Sequence, residues 1–325
     1  MEYVRLGATG LAVSRLCLGC MSFGDPGWQP WVLGEEASQS FFRLAVELGI
    51  NFFDTADMYS LGISEEITGR ALRRYGNDHE IVLASKVFFK LQEGPNRGGL
   101  SRKNIVQSCE DSLRRLGVET IDLYQIHRYD PAVPVAETLA ALDQLVRQGK
   151  VRYIGASSMY AWQLARMLSA SERNGWARFI SMQNHYNLLY REEEREMIPL
   201  CQAEGLGILP WSPLARGLLA RAETLDDPPA TARAESDALM HDRYTHPADA
   251  AVVQALRTVS GQLGVAPARV ALAWLLSKPY VTAPIVGVSK LSHLEDAVAA
   301  LEVALPGDAV KALEAPYVPH HVIGH

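Results

Sequence analysis

Asp54, Tyr59, Lys86 and His127 stand where the chain leaves, or has just left, an apolar strand pattern. Asp54 and Tyr59 lie in NFFDTADMYS (residues 51–60), Lys86 closes EIVLASK (80–86) and His127 closes IDLYQIH (121–127). A lysine inside a barrel is costly to bury unpaired, but a carboxylate beside it makes it tolerable and tunable. A tyrosine hydroxyl ordinarily titrates at about 10, and a nearby lysine cation favours the phenolate. Tyr59 is therefore expected to be a general acid or base usable at neutral pH. His127 can donate to a substrate oxygen and fix its direction. Together these groups suit protonation of a carbonyl oxygen while hydride arrives at its carbon. They supply no hydride, so a reduced cofactor is implied. The absence of G-x-G-x-x-G from the chain argues against a Rossmann dehydrogenase.

Each residue also has a plainer reading. Asp54 can form a turn, Tyr59 sit on a rim, Lys86 end a solvated strand and His127 be a satisfied core histidine. What sets the four apart is their recurrence at successive strand ends. A buried parallel strand is apolar throughout, and the C-terminal ends of barrel strands form the active-site face.

The positioning elements follow from the apolar runs. Strands are predicted at 15–19, 50–54, 80–86, 121–127, 151–157, 179–183, 207–212 and 281–287, after a glycine-turn hairpin in VRLGATGLAVSRL. Helical spacing joins them: Phe41, Phe42, Ala45 and Leu48 before Gly49; Ile105, Cys109, Leu113 and Leu116 before Gly117; Leu139, Leu142, Leu145 and Val146 before Gly149. Each glycine falls where a helix C-terminal cap belongs. Eight strand–helix units specify a single-domain α/β fold, a closed (β/α)8 TIM barrel with an N-terminal β-hairpin. The stretch 213–246 is polar and proline-punctuated. It exceeds a plain βα loop and predicts a functional loop over the barrel mouth, ordering over bound cofactor.

The chain of 325 residues is 48% hydrophobic and 21% charged. That is an ordinary globular profile. A formal net charge of −6 disfavours nucleic acid and anionic membrane as partners. MEYVRLGATG lacks a secretory pattern. No apolar run approaches the length of a membrane span, roughly 20 residues, so a cytoplasmic location is expected. Cys17 and Cys20 form a CxxC, but no second such pair or matching histidine pair completes a metal site. Buried structural thiols are the better reading. His320, His321 and His325 could bind metal; the better reading is a solvated tail, and no metal is expected.

In order along the chain, FFDTADMYSLGISEEITGRAL (52–72), ASKV (84–87), DLYQIHRYD (122–130), GKVRYIGASS (149–158), MQNHYNLL (182–189), PWSPLARGLL (210–219) and APIVGVSKLSHLEDAV (283–298) closely resemble the aldo-keto reductase superfamily. The resemblance covers essentially the whole chain. RLCLGCMSFG, YIGASSMYAWQ and NHYNLLYREEEREMIPLC look like bacterial members associated with general carbonyl reduction or 1-deoxyxylulose-5-phosphate formation. It implies that Asp54, Tyr59, Lys86 and His127 are a catalytic tetrad and that NADPH lies across the barrel's C-terminal face, reducing a small aldehyde or ketone. Ser157, Ser158 and Gln183 would hold the carboxamide, and Trp211 would stack on the nicotinamide. Ser212, Leu214, Arg216 and Gly217 would pass the pyrophosphate. Gly287, Ser289, Lys290, His293 and Asp296 would surround the adenosine end, with Lys290 or Arg216 meeting the 2′-phosphate. Trp28, Trp31, Met58, Phe88, Phe89 and Tyr186 are the substrate-pocket candidates. Two alternatives accompany this reading: a sugar-phosphate rearrangement yielding 1-deoxyxylulose 5-phosphate, and a nucleotide-sensing binding subunit.

Overall fold

The computed structural model describes residues 1–220, 244 and 246–323. The loop expected at 213–246 is thus described only at its two ends, and its proposed action over the mouth lies outside the described residues.

A short antiparallel hairpin, β1 (Tyr3–Arg5) and β2 (Ala12–Ser14), precedes eight parallel strands. These are β3 (Cys17–Gly19), β4 (Phe52–Asp54), β5 (Val82–Val87), β6 (Ile121–Ile126), β7 (Val151–Ser157), β8 (Phe179–Gln183), β9 (Gly207–Ile208) and β10 (Ile285–Gly287). The sheet runs β10-β3-β4-β5-β6-β7-β8-β9. Its two edges meet: the Thr282 N–H donates to Ile208 O at 2.9 Å, and the Ile285 N–H donates to Pro210 O at 2.8 Å. The result is the (β/α)8 barrel that eight strand–helix repeats predict. The last two predicted strands are the ones most shortened, with regular pairing confined to Gly207–Ile208 and Ile285–Gly287. Pro210 and Pro284 have no N–H to give a ladder.

Two apolar layers hold the barrel. Leu6, Val13, Cys17, Phe52, Val82, Ala84, Leu123 and Leu209 pack inside it, while Phe42, Phe53, Ile105, Leu113, Leu139 and Leu142 belong to the layer between sheet and helices. The hairpin closes the barrel's N-terminal end, where the Ala8 N–H donates to Gly205 O at 2.8 Å. The helices Glu35–Glu47, Arg102–Leu116 and Val135–Arg147 end before Gly49, Gly117 and Gly149. These glycines have positive φ, at 82°, 66° and 73°, as the cap pattern requires. All four cysteines are free and buried. Burial pushes the Cys20 thiol up to about 12, and Cys17 is raised for the same reason, so neither member of the CxxC carries a reactive thiolate. Among the described residues no single helix is long and apolar enough to cross a membrane.

Candidate active site

Alternate side chains of a barrel strand point inward. On β4, Phe52 joins the interior layer and Phe53 the outer one, so Asp54 faces inward. The same parity turns Lys86 inward on β5 after Val82 and Ala84, and Gln125 and His127 inward after Leu123. Lys86 is paired in register with Gln125. On the next strand Gly155 makes room for that glutamine: a Cβ there would lie 3.0 Å from Gln125 Cγ and 2.7 Å from Ser181 Oγ. The upper end of the barrel is therefore a polar layer above an apolar one.

In that layer Lys86 is fully buried and all three of its donors are used. Nζ donates to Asp54 Oδ1 at 2.5 Å, to Thr55 O at 2.8 Å and to Tyr59 Oη at 3.2 Å. The second oxygen of Asp54 accepts from Gln125 Nε2 and Gln183 Nε2, both at 2.9 Å. Burial works against the Lys86 ammonium, but the Asp54 carboxylate and then Tyr59 outweigh it, and its pKa is raised. Burial also raises Tyr59 above its ordinary value, by more than the Lys86 charge lowers it. This reverses the expected lowering: removal of solvent from the phenolate outweighs one cation that is already shared with Asp54. Tyr59 thus holds its proton at neutral pH. His127 is neutral, since burial and then the Lys86 and Arg128 charges push it well below its ordinary value. Its ring meets Tyr59 and Phe89 edge-on, at 6.0 and 4.9 Å between centroids.

A cavity of about 440 Å³ opens directly on these groups. Asp54, Met58, Tyr59, Phe89 and His127 line one end, with Met21, Ser22 and Arg128. It continues past Ser157, Gln183, Trp211, Ser212, Leu214, Arg216 and Gly217 to Gly287, Ser289, His293 and Asp296. Non-glycine residues with left-handed backbone cluster here: Ser212 (φ 52°) and Arg216 (56°) line the cavity, with Ala215 (46°) and Ser158 (37°) behind them. Strain of this kind persists where the surroundings over-determine it, commonly at functional sites. Within that turn the Ala215 and Gly217 N–H groups already donate to Ser212 O and Leu214 O. Trp211 is fixed twice, its Nε1 donating to Ser158 Oγ at 3.0 Å and its ring stacked on His185 at 4.2 Å.

Several expected residues fall elsewhere. Tyr186, expected at the mouth, is fully buried in the outer layer, where it packs on Trp274 and its hydroxyl donates to Glu194 at 2.6 Å. It lies one residue past inward-facing parity, beyond the end of β8. Trp28 and Trp31 contact each other at 6.3 Å and do not line this cavity. Phe88 borders a separate depression with Lys90. Ser158 acts on the cavity through Trp211 rather than lining it. Lys290 is exposed and does not line it either, although its charge, after burial, helps lower the His293 pKa, which places it beside this end. Asp296 is held by Arg269 at 2.7 Å. Gln125 and Arg269 are absent from the expected set. For Gln125 a signal existed, because a polar residue two before His127 on a strand shares its inward face.

The Aldo/keto reductase family profile matches residues 15–317. A versiconal hemiacetal acetate reductase of Aspergillus parasiticus is 43% identical, over 98% of this chain and 98% of its own. A Schizosaccharomyces pombe protein, whose name assigns it provisionally to aryl-alcohol dehydrogenase, is 43% identical over 99% and 97%. An aldo-keto reductase of Fusarium vanettenii is 39% identical over 100% and 93%. These relatives are fungal where the sequence points to bacterial members, and none is named for 1-deoxyxylulose 5-phosphate; that kinship is not supported. Similarity of this degree, carried over nearly the full length of both chains, makes the chain a member of the aldo/keto reductase family and an oxidoreductase of carbonyl compounds.

Proposed function

We propose that this chain is an NADPH-dependent reductase of aldehydes or ketones in which Tyr59 is the proton donor. The observation that carries the reading is the hydrogen bond from buried Lys86 to Tyr59 Oη, at the wall of the cavity. The wall also fits a long nucleotide: a tryptophan held by Ser158 and His185, a strained glycine-containing turn, and polar residues at the far end. NADPH bound there would supply the hydride. Trp211 would face its nicotinamide end, the 212–217 turn its pyrophosphate and His293 its adenosine end. Gln183 is engaged by Asp54 and Ser157 donates to Gln183 O, so these two hold the carboxamide only through groups they have left.

Proton chemistry follows from the charges. Tyr59 gives its proton to the carbonyl oxygen, and the Lys86 ammonium stabilises the phenolate left behind. Asp54 keeps Lys86 charged. Neutral His127 orients the same oxygen, while Met21, Met58 and Phe89 shield it from water. A panel of aldehydes and ketones, followed by NADPH absorbance, tests the assignment; negligible turnover across the panel with tight NADPH binding would favour a sensing subunit instead.

Two further outcomes separate this reading from neighbours. With Tyr59 raised and His127 depressed, both stay neutral across physiological pH. Reduction should then be level through neutrality and fall only at alkaline pH above the ordinary tyrosine range, where Tyr59 loses its proton. A decline centred near pH 7 would show that Tyr59 is not the acid. For cofactor choice, Lys290→Ala should weaken NADPH relative to NADH by about 1 kcal/mol, the low end for a charged hydrogen bond because the lysine is exposed. Equal loss for both cofactors would pass the role to Arg216 or Arg269.

A further inference from the structure

We propose that His246, Asp249 and His320 form a site for a divalent transition-metal ion, with Zn2+ the fitting occupant, that ties the C-terminal segment to the start of the helix Asp249–Leu263. One ligand atom from each residue lies within 4.8 Å of the others. The spacing His246-x-x-Asp249 is one turn, closed by the Asp249 N–H donating to His246 O at 2.9 Å, which sets the histidine ring beside the carboxylate. His320 is brought in from the other end of the chain. Its backbone N–H donates to Glu192 Oε1 at 2.8 Å, its ring stacks on Tyr317 at 5.3 Å, and its Nε2 meets Asp249 Oδ1 at 2.9 Å. The ring centres of His246 and His320 are 4.6 Å apart. His320 is therefore no part of a solvated tail, and His325 lies outside the described residues.

A hydrogen-bonded His320–Asp249 pair leaves part of this cluster unexplained. Asp249 is 1% exposed, yet its Oδ2 has no hydrogen-bond partner among the described residues. A carboxylate oxygen so far from water calls for a donor or a cation. Two imidazoles and a carboxylate are a zinc ligand set that keeps a fourth position for water. Tetrahedral zinc sets its ligand atoms roughly 3.3 Å apart, within the span these side chains already cover. The ion takes the place of the proton shared between His320 Nε2 and Asp249 Oδ1. The ring keeps its proton on Nδ1, and any proton the ion displaces beyond that goes to solvent. At His246 a long 3.2 Å bond from the Ala248 N–H to Nδ1 holds the ring in place, and the ion takes that nitrogen instead. The four buried thiols offer zinc no competing accessible ligand.

The test uses the full chain, stripped with chelator and titrated with Zn2+ against a chromophoric zinc indicator. We expect one ion per chain at micromolar affinity, about tenfold or more weaker in His246→Gln and in His320→Gln, and unchanged in His321→Gln. Zinc should raise the melting temperature of the unaltered protein and of His321→Gln only. Binding of equal strength in all three variants, or none at sub-millimolar free zinc, would overturn the site. Should either ligand variant melt early without metal, Co2+ added to the unaltered protein decides. Visible ligand-field bands of tetrahedral or five-coordinate character support the site, and the weak spectrum of hexaaqua cobalt removes it.

Discussion

Tyr59→Phe is expected to lower carbonyl reduction by about 10²-fold or more while leaving NADPH affinity nearly unchanged. The substitution deletes one oxygen and keeps the ring. The contacts of that ring, edge-on to His127 and beneath the Lys86 ammonium at 4.8 Å from its centre, do not involve the hydroxyl. Lys86 loses its weakest partner, the 3.2 Å bond, and keeps Asp54 and the Thr55 carbonyl. The packing and the buried charge pair therefore survive, and only the proton at the cavity wall is gone. Steady-state kcat, measured beside the cofactor dissociation constant, separates chemistry from binding. Turnover at the wild-type level would remove Tyr59 as the acid, and a fall matched by lost NADPH binding would make it a wall residue.

Why some of this site is legible in the primary structure and some is not follows from what each signal measures. Asp54, Lys86 and His127 interrupt apolar runs at a fixed place, and strand parity alone then points them inward. The same rule reaches Gln125, which hides in the run IDLYQIH because a neutral amide disturbs the pattern less than a charge. Tyr186 shows the limit of parity. Beyond β8 the chain leaves regular strand geometry, and an aromatic residue there turns to the outer layer and pairs with Glu194 and Tyr280. The Tyr59 pKa cannot be judged from neighbours in sequence, because its direction depends on how much water the fold removes. His320 reads as part of a polar tail, since its partners Asp249 and Glu192 lie 71 and 128 residues away. Barrel closure follows from the count of units, whereas the shortened strands at Gly207–Ile208 and Ile285–Gly287 reflect Pro210 and Pro284 interrupting the ladder.

Asp54→Asn should destabilise the fold by roughly 3–5 kcal/mol, the usual consequence of stranding one member of a buried ion pair. Lys86 has no exposure to water through which to recover hydration, and its other two acceptors are neutral oxygens. The asparagine amide would also present a donor to a site already supplied with donors by Gln125 and Gln183. Adding Lys86→Met to Asp54→Asn removes the stranded charge and restores an apolar stem of similar length, so the double variant should regain most of the loss. Urea unfolding, with an unchanged slope and a shifted midpoint, reads both effects. The double variant should nevertheless remain inactive, since nothing is left to stabilise a phenolate at Tyr59. Recovery of stability without recovery of turnover would mean that this pair is kept for proton chemistry rather than for the barrel's stability. An Asp54→Asn protein as stable as the wild type would show that Lys86 is not paired in the way its 2.5 Å contact indicates.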